Sequence, residues 1–144
     1  MSKARSRARR LAMQGLYEWQ VAANSPEQIL ATSLQDHDLS KLDEEYFKTL
    51  LLGVPAKAGD IDAAIKPFLS RPLNEVDPIE LAILRLAAYE LMYRTDIPYR
   101  VVINEAVELA KTFGAEAGHK FVNGILDKVA AQVREVEVKH KRKE

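Results

Sequence analysis

The chain contains no cysteine. That one absence removes disulfides, thiolate zinc sites and cysteine nucleophiles from consideration. Histidine is scarce as well: His37, His119 and His140 lie far apart in sequence, which argues against a His-rich metal site. Glycine is sparse, and Gly53, Gly59, Gly114, Gly118 and Gly124 form no phosphate-cradling loop pattern. No apolar run approaches the roughly 18 residues that a membrane span needs, and the basic N-terminus is not followed by the apolar segment of a signal peptide. The expectation is a soluble cytoplasmic protein without a membrane anchor. Ser40 and Ser70 sit in no nucleophile elbow, His119 beside Lys120 reads as a surface pair, and Glu105 and Glu108 read as a solvated helix face. Nothing here points to an enzyme, a cofactor or a metal.

What is present is a 47% apolar composition over 144 residues, enough for one domain with a real core, or for two small halves sharing one. The formal net charge is zero, but it is unevenly spread. Lys3, Arg5, Arg7, Arg9 and Arg10 put +5 on the first ten residues, with no acid among them. The last eleven residues carry +2, so the body between is acidic at −7. Basic ends on an acidic body point to a local anion-binding face, and the acidic body suits a basic protein partner.

Every long segment has helical periodicity, and no period-2 strand pattern is evident. A first helix is expected from about Ser6 to Ala23. Ser25-Pro26-Glu27-Gln28 is a helix start, with Ser as cap and Pro at the first position. Asp43-Glu44-Glu45 places acids at the start of a third helix, as the macrodipole prefers. Pro55 and Gly59 predict a kink or break before Ile61–Leu69. Asp77-Pro78-Ile79-Glu80 caps a helix from Ile79 to about Arg94 that is apolar around most of its circumference, and so should be the central one. Pro98 opens the next helix, which Gly114 is expected to close as a left-handed cap. A last helix runs from about Ala117 to Val133. The fold class is all-α, a compact helical bundle of six to seven helices in two small packed subdomains. Residues 1–134 form the domain, and 135–144 read as a basic, disordered tail.

Within the first helix, Lys3, Arg7, Arg10, Gln14 and Tyr17 share one face, while Ala8, Ala12, Gly15, Leu16 and Trp19 share the opposite one. Basic residues near a helix N-terminus oppose the macrodipole, each at about 0.3–1 kcal/mol. Their retention points to an anionic ligand. Lys3, Arg5, Arg7 and Arg10 are the candidate phosphate contacts, with Arg9 towards the flank. Tyr17 is a candidate base-stacking residue, or otherwise a half-buried aromatic. Arg85, in a largely apolar helix, reads either as the partner of a buried acid or as an RNA contact. Glu75 and Glu80 are candidate contacts for a basic partner, Glu80 also serving its helix cap. Trp19 reads as core.

Several segments carry a family resemblance. Arg7-Ala8-Arg9-Arg10 with Gln14-Gly15-Leu16-Tyr17-Glu18-Trp19 resembles the N-terminus of the NusB family of bacterial transcription antitermination factors. So do Arg85-Leu86-Ala87-Ala88-Tyr89-Glu90-Leu91, Ile97-Pro98-Tyr99, and Ile103 to Lys111 followed by Phe113-Gly114. The most specific piece is His119-Lys120-Phe121-Val122-Asn123-Gly124-Ile125-Leu126-Asp127. The matches fall in order across residues 5–130. The resemblance implies two packed helical subdomains, binding of single-stranded boxA RNA from ribosomal RNA leaders, a heterodimer with the ribosomal protein NusE, and a place in the RNA polymerase antitermination complex with other Nus factors. It implies that Lys120, Phe121 and Asn123 lie at an RNA-proximal corner, although Phe121 by itself reads as core before base platform. Ala117-Gly118 departs from the more polar stretch usual there. Two other readings stay open: a protein-binding helical scaffold, and a stand-alone relative of the RNA-binding domain of ribosomal RNA methyltransferases. The apolar helical faces are compatible with a monomer or a homodimer.

Overall fold

The computed structural model describes residues 2–143, with side chains placed to residue 140. The described chain is helical throughout and holds eight α-helices and no strand: α1 Lys3–Ala22, α2 Pro26–Asp36, α3 Glu44–Ala56, α4 Ala58–Ile65, α5 Pro78–Tyr93, α6 Tyr99–Phe113, α7 Gly118–Val133 and α8 Glu135–Lys143. Two 3₁₀ turns, Lys66–Phe68 and Leu73–Glu75, lead from α4 into α5.

Local chemistry sets most of the boundaries. The side chains of Ser25, Asp43 and Asp77 each accept a backbone N–H in the first turn of α2, α3 and α5 respectively. Ser2 does the same for α1 by accepting the Arg5 N–H at 3.1 Å, so that helix starts three residues earlier than the apolar periodicity predicts. Pro55 is carried inside the last turn of α3, and the expected break falls at Lys57.

α5 lies at the centre and touches α1, α3, α4, α6 and α7. One half of the molecule, α1 to α4, packs on one side of it, and the α6–α7 hairpin packs on the other. One continuous apolar core runs through both, from Ala12, Leu16, Phe47 and Leu51 through Leu84, Ala88 and Leu91 to Val102, Leu126 and Val129. Fully burying a side chain of this size contributes roughly 1.5–3 kcal/mol. Gly53 allows the closest approach within the N-terminal half, because a Cβ there would stand 2.6–2.8 Å from the Tyr89 ring and hydroxyl.

Four expectations are corrected. Gly114 ends α6 with φ −83° and ψ 175°, an extended conformation, while the left-handed residue of that loop is Ala117 at φ 63°. Trp19 is only partly buried: it packs against the edge of the core and lines a surface pocket, with the Arg85 guanidinium over its ring at 5.5 Å. The helix count is higher than six to seven because α3 and α4 are separate and the chain continues beyond Val133. The segment from residue 135 is α8 rather than a disordered tail; Glu144 lies outside the described residues.

The reason for α8 is Arg134, which is buried where α7 ends. Its guanidinium donates to the carbonyls of Leu91 at 2.7 Å, Ile97 at 2.9 Å, Arg94 at 3.0 Å and Glu90 at 3.2 Å, and pairs with Glu137 at 2.7 Å. These include the orphan carbonyls at the end of α5. Glu137 accepts the Tyr99 N–H that opens α6 at 2.9 Å, and Val138 is buried. Three anchors therefore hold the first turn of α8 to the α5–α6 junction.

Candidate nucleic-acid interface

Along α1 the basic side chains divide by helical position. Arg9 points inward and is 1% exposed. It contacts Glu90 through Nε at 3.0 Å and Nη2 at 2.9 Å, and Glu105 through Nη1 at 3.0 Å. The Tyr46 hydroxyl also donates to Glu90, and Ser6 donates to Glu105 at 2.6 Å. Burial alone would lower the Arg9 pKa, but Glu90, Tyr46 and Glu105 together outweigh it and the guanidinium is held above its ordinary value. Burial next to the Glu90 charge pushes the Tyr46 phenol up, so it stays a neutral donor. Glu105 is thus a member of a structural ion pair rather than of a solvated acidic face.

Arg5 is also turned aside. Its guanidinium stacks on the Tyr46 ring at 4.4 Å, opposed by Asp43 at 3.7 Å. Arg94 approaches the same ring at 4.9 Å. The remaining three, Lys3, Arg7 and Arg10, are exposed and with Ser6 line a shallow pocket of about 310 Å³. Arg7 donates to the Lys41 carbonyl at 3.3 Å, and Arg10 stands over Phe113 at 5.3 Å. Neither contact neutralises the charge. Further along the same face come Gln14, then Tyr17 at 38% exposure, then Val21, also exposed. A basic end and an aromatic thus share one exposed surface, the arrangement that combines phosphate contact with base stacking.

Other predicted residues fall in different places. Arg85 holds Asp62 through two hydrogen bonds of 2.9 and 3.0 Å and donates to Gln20 at 3.0 Å. It ties α5 to α4 and α1 and stands apart from the basic N-terminal group. Phe121 packs partly into the core, with the Arg71 guanidinium over its ring at 5.5 Å. Lys120 and Asn123 are exposed on α7. Glu75 is exposed in the second 3₁₀ turn, whereas Glu80 is 5% exposed. The Glu80 carboxylate accepts a hydrogen bond from the Ala115 backbone and lies where a Cβ on Gly118 would stand, which fixes the α6–α7 loop against α5. Burial raises its pKa, Asp77 adds to that, and the Ala115 hydrogen bond and Arg71 oppose it. Sequence reasoning missed the Arg9–Glu90–Tyr46 cluster, although Arg5, Arg9, Ala12 and Leu16 repeat at helical spacing along a face that proves to be mostly buried.

No helix among the described residues is long and apolar enough to cross a membrane, and no group of His, Cys, Asp and Glu among them is arranged to hold a metal.

Residues 6–131 match the profile of the NusB family. The chain is 56% identical to the transcription antitermination protein NusB of Pseudomonas entomophila, over 96% of this chain and 83% of that one. It is 55% identical to the same protein of Nitrosococcus oceani, over 95% and 92%. Among solved structures it is similar to T. maritima NusB, with TM-score 0.83, 33% identity, and 96% and 99% of the two chains covered. It is also similar to a chain in a crystal structure of the antitermination factors NusB and NusE in complex with dsRNA, with TM-score 0.81, 28% identity, and 90% and 97% covered.

Proposed function

The chain belongs to the NusB family of transcription antitermination proteins, and from that membership we propose that it binds boxA RNA of ribosomal RNA leaders together with NusE, as part of the RNA polymerase antitermination complex. The observation that carries this reading is the exposed face of α1, where Lys3, Arg7 and Arg10 surround a shallow pocket with no acid in the first ten residues. Phosphates are held there, and Tyr17 on the same face stacks on a base. Lys120 and Asn123 extend the surface along α7. Arg5 contributes its charge from the side, across Asp43. Phe121 acts by positioning α7, and Arg85 by holding α1 to α4 and α5. Glu75 is the exposed acid available to a basic partner, and Glu80 supports the loop beside it. The protein acts by binding, in the cytoplasm.

The test is fluorescence anisotropy of a labelled single-stranded boxA RNA, a scrambled strand, and the boxA sequence as a duplex, each with and without NusE. The duplex is included because the RNA in the similar NusB–NusE structure is double-stranded. Preference for single-stranded boxA that tightens with NusE is the expected result. Equal binding to both single strands, indifferent to NusE, refutes it, and a preference for the duplex replaces the single-strand reading. Exchanging Arg7 and Arg10 for Ala removes two phosphate contacts and should flatten the log–log salt slope by about 1.4, at roughly 0.7 per contact for a single strand.

A further inference from the structure

Around the corner of α6 from the α1 face lies a second depression, about 380 Å³, between α6, α7 and the start of α8. Its floor is apolar and buried: Tyr99, Ile103 and Val138. Its walls are exposed and polar: Arg100, Asn104, Asn123 and Asp127. The Arg100 guanidinium stands over the Tyr99 ring, 5.5 Å from its centroid. Asn104, Asn123 and Asp127 have no hydrogen-bond or ion-pair partner within the described residues. Two amides and a carboxylate therefore present free donors and acceptors into one space over an apolar base.

The groove shares Asn123 with the RNA-binding surface proposed above. Lys120, Asn123 and Asp127 are spaced by three and four on α7 and share one helix face, over about 10 Å at 1.5 Å per residue. The first of them lies in the first turn of α7, just after the α6–α7 loop; Phe113, which Arg10 covers, ends α6 before that loop. Val138, which closes the third side, belongs to α8, beyond the 6–131 segment matched by the family profile.

We propose that this groove is a subsite for one unstacked nucleobase bearing an exocyclic amine, taken from the same RNA strand that the α1 face holds by its phosphates; the inference rests on the RNA-binding reading above. The chemistry follows from the donor set. The apolar floor takes the flat face of a base. A carboxylate accepts hydrogen bonds and donates none, so Asp127 selects an amine edge over a carbonyl edge. Asn104 and Asn123 pair with whatever mixed edge remains, and Arg100 at the rim takes the adjoining phosphate. A purely electrostatic surface has no use for Asp127, since an acid repels the strand.

That difference sets the experiment. The probe is labelled boxA RNA in which each amine is deleted in turn: inosine for guanosine, purine riboside for adenosine, and pyrimidin-2-one riboside for cytidine. With the wild-type protein, one position should lose about tenfold or more in affinity. With Asp127→Ala, the unmodified RNA should bind about tenfold more weakly and that position should cease to matter, while the salt slope stays unchanged. Asn104→Ala serves as a second, independent lesion, and thermal melts by circular dichroism verify that both exposed substitutions leave the fold intact. Tighter binding by Asp127→Ala, or amine deletions that act equally on both proteins, overturns the subsite while leaving the α1 interface standing. Failure of the wild-type protein to bind any of the RNAs overturns the reading on which the subsite rests.

Discussion

Replacing Arg9 with Met tests whether the polar cluster under α1 is structural. The substitution keeps the side-chain length and helix propensity but removes the cation from between Glu90, which is 1% exposed, and Glu105. Glu90 would keep only the Tyr46 hydroxyl as a partner. Removing one member of a buried pair costs about 3–5 kcal/mol, because the remaining charge stays desolvated. For a domain of this size each kcal/mol moves the melting temperature by about 2–4 °C, so a drop on the order of 10 °C is expected. Equilibrium urea unfolding and thermal melts measure it. The double variant Arg9→Met with Glu90→Met removes the buried Glu90 charge as well, leaving only the part-exposed Glu105 carboxylate with its Ser6 hydrogen bond, and should recover part of the loss, a coupling visible in the cycle of four proteins. The folded Arg9→Met protein should bind RNA with an unchanged salt slope, because Arg9 does not reach the exposed face. A loss below about 1 kcal/mol, a double variant no better than the single, or a reduced salt slope would each refute the assignment.

Gly53→Ala should destabilise the protein by about 1–3 kcal/mol despite the better helix propensity of alanine, because the new Cβ would meet the rigid Tyr89 ring at under 3 Å; a stabilised variant in urea unfolding would contradict the packing. Arg134→Ala should lose about 2–4 kcal/mol by stranding the carbonyls at the end of α5, and Arg134→Lys should restore little, since an ammonium cannot fan out to five acceptors; amide exchange at residues 90–99 reports it directly. The folded-state pKa of Glu80 is raised, so the folded protein holds the proton more tightly than the unfolded chain, and stability should rise as pH falls from the folded value towards 4.5. Glu80→Gln keeps the acceptor for Ala115, and its melting temperature should vary less with pH across that window than that of the wild type.

Much of this molecule is written locally. Ser25, Asp43 and Asp77 are caps recognisable from three or four residues each, and the apolar periodicity of residues 79–94 marks the central helix because a helix apolar all round has to be enclosed. The heptad-like spacing of Lys3, Arg7, Arg10 and Tyr17 places them on one face before any packing is known. The order of the matching segments, from residues 7–10 through 85–91 to 119–127, also carries the family, since many separate matches along one chain constrain it more than any one motif does.

Which charges stay in water is decided by tertiary structure, because it depends on partners distant in sequence. Arg9 and Arg10 are neighbours, yet one is sealed against Glu90 and Glu105 on α5 and α6 while the other faces solvent. Arg85 finds Asp62, and Phe121 is covered by Arg71, across chain separations no helical wheel records. The same holds for α8. Its composition reads as a solvated tail, but the guanidinium of Arg134 meets the open carbonyls of α5, and that junction exists only once the helices have packed. Periodicity determines which residues share a face, whereas the burial of that face, and so the desolvation and pairing of its charges, is set by what folds against it.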